Sequence, residues 1–230
     1  MTSTKNIFKV TYPIFFTLVA QNIINVTDTA FLGHLSEVAL GASAIGGVFY
    51  IAIYFLGYGF SQGTQILIGR RNGEKNYAEI GPIFNNSLIF NFLLALVFFL
   101  LSWFFMPLLI RFLVSSEHIY KASLEFLNYR IYGFFFAFLN VVFRAFFVGT
   151  TRTKVLTISG FITAIVNIVL DYVMIFGKFG FPEWGVKGAA IASVIAEAVT
   201  TVYLFFVTWK YDKSNTFGLF NFTKIEWEPV

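Results

Sequence analysis

Residues 88–106 read LIFNFLLALVFFLLSWFFM. The run carries no charge, and Asn91 and Ser102 are its clearest interruptions. Apolar and polar positions do not alternate, so it is no strand of a membrane barrel. Its length is close to the roughly 20 residues that carry a helix across a bilayer. Hydrocarbon offers backbone groups no water, so such a run must satisfy its own hydrogen bonds as a helix.

Working outward, five more stretches of this kind appear. The six cover about 10–32, 42–69, 82–105, 123–148, 155–177 and 188–209. Polar or Gly/Pro-marked breaks separate them: HLSEVALG, RRNGEKNYAEIGP, LVSSEHIYK, TTRTK and KFGFPEWGVK. The spacing predicts an all-α membrane protein, a bundle of six transmembrane helices over residues 1–209. The first stretch is longer than a signal-peptide core, contains Asp28 and precedes five more, so it reads as a span.

Composition agrees. Of 230 residues, 57% are hydrophobic, 20% aromatic and 12% charged. Soluble domains carry roughly 25% charged residues. This balance excludes a soluble enzyme, a disordered chain and a nucleic-acid binder. The chain has no cysteine and two histidines, His34 and His118, so thiolate or histidine-rich metal sites and cysteine catalysis are not expected. Paired metal-ligating histidines, a nucleophile elbow and a phosphate loop are also lacking, and an enzyme is not expected.

The net charge of +4 reflects loop composition. With a cytoplasmic N-terminus, the inner segments hold Lys5, Lys9, Arg70, Arg71, Lys75, Arg152, Lys154, Lys210, Lys213 and Lys224. The outer segments hold Arg111, Lys121, Lys178 and Lys187. This bias predicts a multi-pass protein of the inner, or plasma, membrane with both termini cytoplasmic. Residues 210–230 change character, mixing charges with aromatics, and read either as an interfacial segment or as a linker.

Ionisable residues inside spans cost about 2.5–3.5 kcal/mol on insertion scales and therefore face protein or a cavity. Three acids qualify: Asp28, Asp171 and Glu197. Asp28 and Asp171 both lie past the midpoint of outward-running spans, at comparable depth. Gln21, Asn25 and Asp28 recur at i, i+4 and i+7; Asn167 and Asp171, and Ser193 and Glu197, are i, i+4 pairs. Such stripes serve either as interhelical glue or as a shared polar pocket. Asn140 fits a cavity wall or helix glue equally well. Glu125 and Arg130, at the outer end of span four, read as a surface pair or as snorkelling side chains. Gln62 and Gln65 are placed to touch water. Gly59 and Gly63 form a G-x-x-x-G spacing, and Gly188, Ala192 and Ala196 a second small-residue row, both expected to pack closely. Pro13 reads as a helix-initiating residue or as a bend.

Several of these stretches resemble the multidrug and toxic compound extrusion (MATE) transporters. AQNIINVTDTAFLGHL, preceded by Pro13, resembles that family's first helix. GYGFSQGTQILIGRRNGEKN resembles its second helix and following loop, and VNIVLDYVMIFG with WGVKGAAIAS resembles its fifth helix and sixth-helix start. The resemblance implies a twelve-helix transporter of two six-helix lobes, of which this chain matches the first. Residues 210–230 then resemble the cytoplasmic interlobe linker, and a second six-helix lobe is the expected partner.

The resemblance further implies a cation-coupled antiporter, driven by H+ or Na+, that sits in the lipid bilayer and exports small drug-like, amphipathic and often cationic compounds. Asp28, Asn167 and Asp171 match the family's N-lobe cation site, and Ser193 stands where many members have threonine. Pro13 matches the helix-bend proline. Gln21, Asn25, Asn140 and Glu197 are candidate cavity-lining residues. No cofactor is expected beyond the coupling ion. The alternatives are a lipid-linked oligosaccharide flippase of the same superfamily, or a half-length protein acting as a homodimer. The mainly acidic deep charges argue against a pyrophosphate-binding flippase.

Overall fold

The computed structural model describes residues 4–212 and 216–221. Seven helices account for most of them: α1 (Thr4–Leu35), α2 (Glu37–Gly73), α3 (Ile80–Leu113), α4 (Glu117–Arg130), α5 (Gly133–Gly149), α6 (Lys154–Ile175) and α7 (Gly185–Tyr211). Five of the helical segments are long and apolar enough to cross a membrane singly. The pair α4 and α5 passes the same test together, bent by 53°. Counting that pair as one broken span gives six, running alternately between a terminal end, where the chain starts and where residues 216–221 lie, and a far end.

Span four is therefore not the continuous helix that residues 123–148 predict. Helix α4 stops at Arg130, and α5 restarts at Gly133. A Cβ on Gly133 would lie 2.6 Å from a Glu197 carboxylate oxygen and 2.9 Å from the Tyr50 hydroxyl, and would also strike the Arg130 guanidinium. Glycine at this break is required by what crowds around it.

The turns carry local chemistry. Ser36 caps α2 by accepting the Ala39 N–H at 3.0 Å, so α1 reverses into α2 across a single residue. Ser116 caps α4 in the same way, with Glu117 in the favourable first turn. Gly177, at φ +61°, ends the α6 segment in a conformation that disfavours side chains.

Without a hydrophobic force between helices in lipid, close packing holds the bundle together. The small-residue row on α7 does this against α6. Ala192 and Ala196 are buried, and the Gly188 Cα sits so near the Met174 carbonyl that a Cβ would be 2.6 Å from its oxygen. The row expected on α2 does not. Gly59 and Gly63 are exposed, with nothing close to where a Cβ would stand. Instead Gly46 and Gly57, on the opposite face, receive the rings of Phe126 and Phe138. Helix α5 is the centre of the lobe, with Phe134, Phe138, Phe146 and Phe147 fully buried. The outer face of α3, with Phe104, Leu108 and Phe112, is exposed for lipid.

Pro13 does not initiate a helix, because α1 already runs from Thr4. Its carbonyl accepts hydrogen bonds from Thr17 at 3.0 Å and from Thr157 of α6 at 2.9 Å.

At the terminal end, residues 216–221 dock on the lobe. Asp212 accepts the backbone N–H groups of Phe217 and Leu219 at 2.8 and 2.6 Å. Asn85 of α3 accepts from Phe220 N–H at 2.8 Å and donates to the Asn221 carbonyl at 3.0 Å. Phe217 and Leu219 join the buried cluster around Phe84 and Phe146. Of the expected linker 210–230, residues 213–215 and 222–230 lie outside the described residues.

Candidate functional site

Among the described residues, two clusters built around buried acids lie inside the helix bundle. The first is on the seam between α1 and α6. Asp28 is half-buried, and Asp171, fully buried, faces it so that the two carboxyls meet at hydrogen-bonding range. Asn167, one turn before Asp171, is 2% exposed and lies beside the Asp171 carboxyl. Its amide donates to the Ser193 hydroxyl of α7 at 3.4 Å. Four residues anticipated as one set thus come from three helices to one place.

The hydrogen bonding here is incomplete. Both Asp171 oxygens, one oxygen of Asp28 and the Asn167 side-chain oxygen are buried and receive no well-formed donor from the described residues. Buried acceptors are almost always paired. Four unpaired hard oxygens in one spot form an acceptor-rich, anionic site. That donor set fits a proton or a small hard cation such as Na+, which takes carboxylate and carbonyl oxygens.

The second cluster joins α2, α4 and α7. Arg130 makes a two-pronged ion pair with Glu197, Nη2 to Oε1 at 2.6 Å and Nη1 to Oε2 at 3.0 Å. The Tyr50 hydroxyl donates to the same carboxylate at 2.9 Å, and the guanidinium lies 3.5 Å from the centre of the Tyr50 ring. Tyr50 in turn stacks flat on Phe134, with ring centres 4.9 Å apart. The two ion-pair side chains are only 11% and 18% exposed. Asn140 braces the cluster from α5 by donating to the Glu197 carbonyl at 3.2 Å and accepting from Thr201 at 3.0 Å.

This corrects two expectations. Arg130 neither pairs with Glu125 nor snorkels outward; it turns inward to Glu197, while Glu125 stays exposed. Glu197 is not an open cavity-lining acid, since its carboxylate is fully engaged. Ionisable residues inside spans often pair with one another, and span four carries two cations, Arg130 and Arg144. That signal was present in the sequence, but the i, i+5 neighbour Glu125 offered a simpler partner.

Gln21 and Asn25 remain outside both clusters. They are exposed on α1, Gln21 two turns and Asn25 one turn before Asp28. Gln62 and Gln65 are half-buried on α2.

The MatE family model matches residues 13–173. A probable multidrug resistance protein NorM of Thermotoga maritima is 29% identical over 91% of this chain, which covers 45% of that protein. A probable multidrug resistance protein YoeA of Bacillus subtilis is 30% identical over 72% of this chain and 37% of its own length. The chain thus spans less than half the length of these two relatives. Among solved structures, an outward-facing multidrug resistance MATE family transporter superposes with a TM-score of 0.84 at 22% identity, over 93% of this chain and 46% of that one. The chain belongs to the MatE family, and it has the fold of one six-helix lobe of that family's twelve-helix transporters.

Proposed function

We propose that this lobe is half of a cation-coupled exporter of small amphipathic compounds, and that Asp28, Asp171, Asn167 and Ser193 form its coupling site. The observation that carries the reading is the facing pair of Asp28 and Asp171, with their buried oxygens lacking donors. Two like charges in a low-dielectric seam disfavour the doubly ionised state, so the pair exchanges cations as one coupled unit. A proton or a sodium ion supplies the missing positive charge; Asp28, Asp171, Asn167 and Ser193 are the residues that would hold it. The sequences of relatives named as multidrug resistance proteins support export of drug-like molecules.

The mechanism uses the seam itself. Helices α1 and α6 are joined near one end by the Thr157 hydroxyl on the Pro13 carbonyl and near the other by the aspartate pair. Cation entry from outside removes repulsion between Asp28 and Asp171 and draws the helices together there. Cation loss separates them. Pro13 removes one helical N–H and gives α1 a place to bend as the seam changes. The drug path then lies on the exposed side of α1, past Gln21 and Asn25, and is completed by a second six-helix lobe. Each charge crossing the membrane contributes about 2.3 kcal/mol per 100 mV, and each pH unit about 1.4 kcal/mol. The excess of basic residues at the terminal end supports an inner-membrane protein with both termini cytoplasmic.

The test is transport by the complete two-lobed protein carrying Asp28→Asn or Asp171→Asn. Both variants are expected to reach the membrane at normal levels and to lose cation-driven efflux. Wild-type efflux in both, at matched expression, would make the aspartates structural and place coupling elsewhere.

A further inference from the structure

We infer that the cavity around Arg152, at the terminal end of the lobe, is a phosphate-binding site that holds the headgroup of an anionic phospholipid. The inference stands apart from the coupling role proposed for Asp28 and Asp171.

The cavity, about 420 Å³ in volume, opens where the C-terminal ends of α2, α5 and α7 meet the docked segment 216–221. Asn72, Tyr77, Thr150, Arg152, Tyr211 and Phe217 line it, and among the described residues no acid does. Arg152 is half-buried. Its guanidinium lies 4.4 Å from the centre of the Tyr211 ring and 5.7 Å from that of Phe217. Beyond these rings, the guanidinium meets no carboxylate at ion-pair distance and donates no hydrogen bond among the described residues. Arg70 and Arg71, at the same end, are by contrast paired with Glu74 and Glu79.

Cations also settle at helix C-termini, where carbonyls lack partners. Arg152 does not serve α5 in that way. The Phe146 carbonyl accepts from the Thr150 backbone N–H at 2.9 Å and from the Thr150 hydroxyl at 2.8 Å. The Phe147 and Val148 carbonyls accept the backbone N–H groups of Arg152 and Thr151, at 2.7 and 2.9 Å. The Gly149 carbonyl accepts from the Asn72 amide at 3.3 Å. With these carbonyls occupied, the guanidinium keeps its donors for a group from outside. A half-buried cation without an acid favours an incoming anion, and the planar fork of arginine matches two phosphate oxygens at once. The phenols of Tyr77 and Tyr211, in the same lining, add hydroxyl donors.

Depth selects the source of the phosphate. Trp209 and Tyr211, exposed in the last turn of α7, are residue types that gather at the membrane–water boundary. The cavity therefore lies at headgroup level. From that turn, exposed Val202, Phe206 and Trp209 form an apolar stripe at i, i+4 and i+7 along α7, a surface for acyl chains. Lys154 and Lys210, exposed at the same end, add a positive field that draws anionic lipid.

The experiment is native mass spectrometry of the complete protein, delipidated in neutral detergent and titrated with phosphatidylglycerol or phosphatidylcholine. Wild-type protein is expected to retain phosphatidylglycerol in preference to phosphatidylcholine. Arg152→Gln is expected to weaken phosphatidylglycerol binding by about tenfold and to leave phosphatidylcholine binding unchanged. Arg70→Gln, which removes an arginine already paired with Glu74, is expected to bind both lipids as wild type does. If Arg152→Gln fails to fold, Tyr77→Phe with Tyr211→Phe keeps the rings, removes the hydroxyls and is expected to weaken phosphatidylglycerol binding several-fold. Equal phosphatidylglycerol binding by wild type and Arg152→Gln, or an equal loss in Arg70→Gln, overturns the site. Inorganic phosphate at millimolar concentration is expected not to displace the lipid; full displacement would make the site one for soluble phosphates and overturn the lipid assignment. None of these outcomes depends on transport, so the coupling role of the aspartates stands or falls separately.

Discussion

The two polar clusters of this lobe are built from the same materials and end in opposite electrostatic states. In the α4–α7 cluster a buried acid meets a buried arginine, and every oxygen of Glu197 is engaged. In the α1–α6 seam a buried acid meets another acid, and several oxygens lack a donor. The first arrangement is complete as it stands. On the function proposed above, the second takes up a mobile positive charge. An acid inside a membrane span does not by itself mark a transport site; the identity of its partner decides.

The contrast predicts opposite responses to neutral substitution. Removing one partner of the closed pair leaves a buried, uncompensated charge, which typically costs about 3–5 kcal/mol. Arg130→Ala and Glu197→Ala should therefore lower the melting temperature of the detergent-purified protein more than any other change named here. Asp171→Asn removes an acid that has no donors and should leave the melting temperature unchanged or raise it. Equal losses in all three variants would erase the distinction between the clusters.

Packing supplies the next comparison. Gly57→Ala places a methyl 2.7 Å from the Phe138 ring, at the fully buried centre of α5. Overpacking of this kind costs about 1–3 kcal/mol. Gly59→Ala and Gly63→Ala, on the open face of α2, should leave stability unchanged or slightly improved, since alanine is the better helix former. The same thermal melts check this, and a larger loss at Gly63 than at Gly57 would contradict the packing.

Within the seam, Thr157→Val removes the hydroxyl that bonds the Pro13 carbonyl. The expected loss is about 1 kcal/mol, with a change in the cation dependence of efflux that a surface threonine would not produce. A melt and an efflux titration together read it.

The smallest effect belongs to the exposed loop after α2. Hydrogen bonds from Arg70 and then Arg71 hold the Glu74 carboxyl below its usual range. A lowered value means that this contribution is present at neutral pH and fades as pH falls through it. These groups are exposed, so Glu74→Gln should shift the melting temperature only slightly at pH 7 and not at all in acid.

Much of this was legible in the sequence, for identifiable reasons. Span lengths are set by bilayer thickness, so the helices between the predicted breaks follow from hydropathy alone. Asp28, Asn167 and Asp171 come together because helical spacing and depth are both readable along one chain. The break at residues 131–132 was not legible. Gly133 sits in an apolar run, and its need for space comes from Arg130, Glu197 and Tyr50, which are distant in sequence. The G-x-x-x-G of Gly59 and Gly63 misled because spacing defines a smooth face but does not say which helix, if any, lies against it. The docking of residues 216–221 depended on Asn85, whose side chain serves backbone groups more than a hundred positions away, a pairing that no local pattern records.

The central claim is that Asp28 and Asp171 share one cation. Infrared difference spectroscopy on the complete protein in lipid tests it most directly, by following the protonated-carboxyl band through a pH titration with and without sodium. The account predicts a band equivalent to one carboxyl that disappears as pH rises or as sodium displaces the proton, and that is missing from the Asp28→Asn, Asp171→Asn double variant. A spectrum with no titrating carboxyl band, or a band that persists unchanged in the double variant, would contradict it.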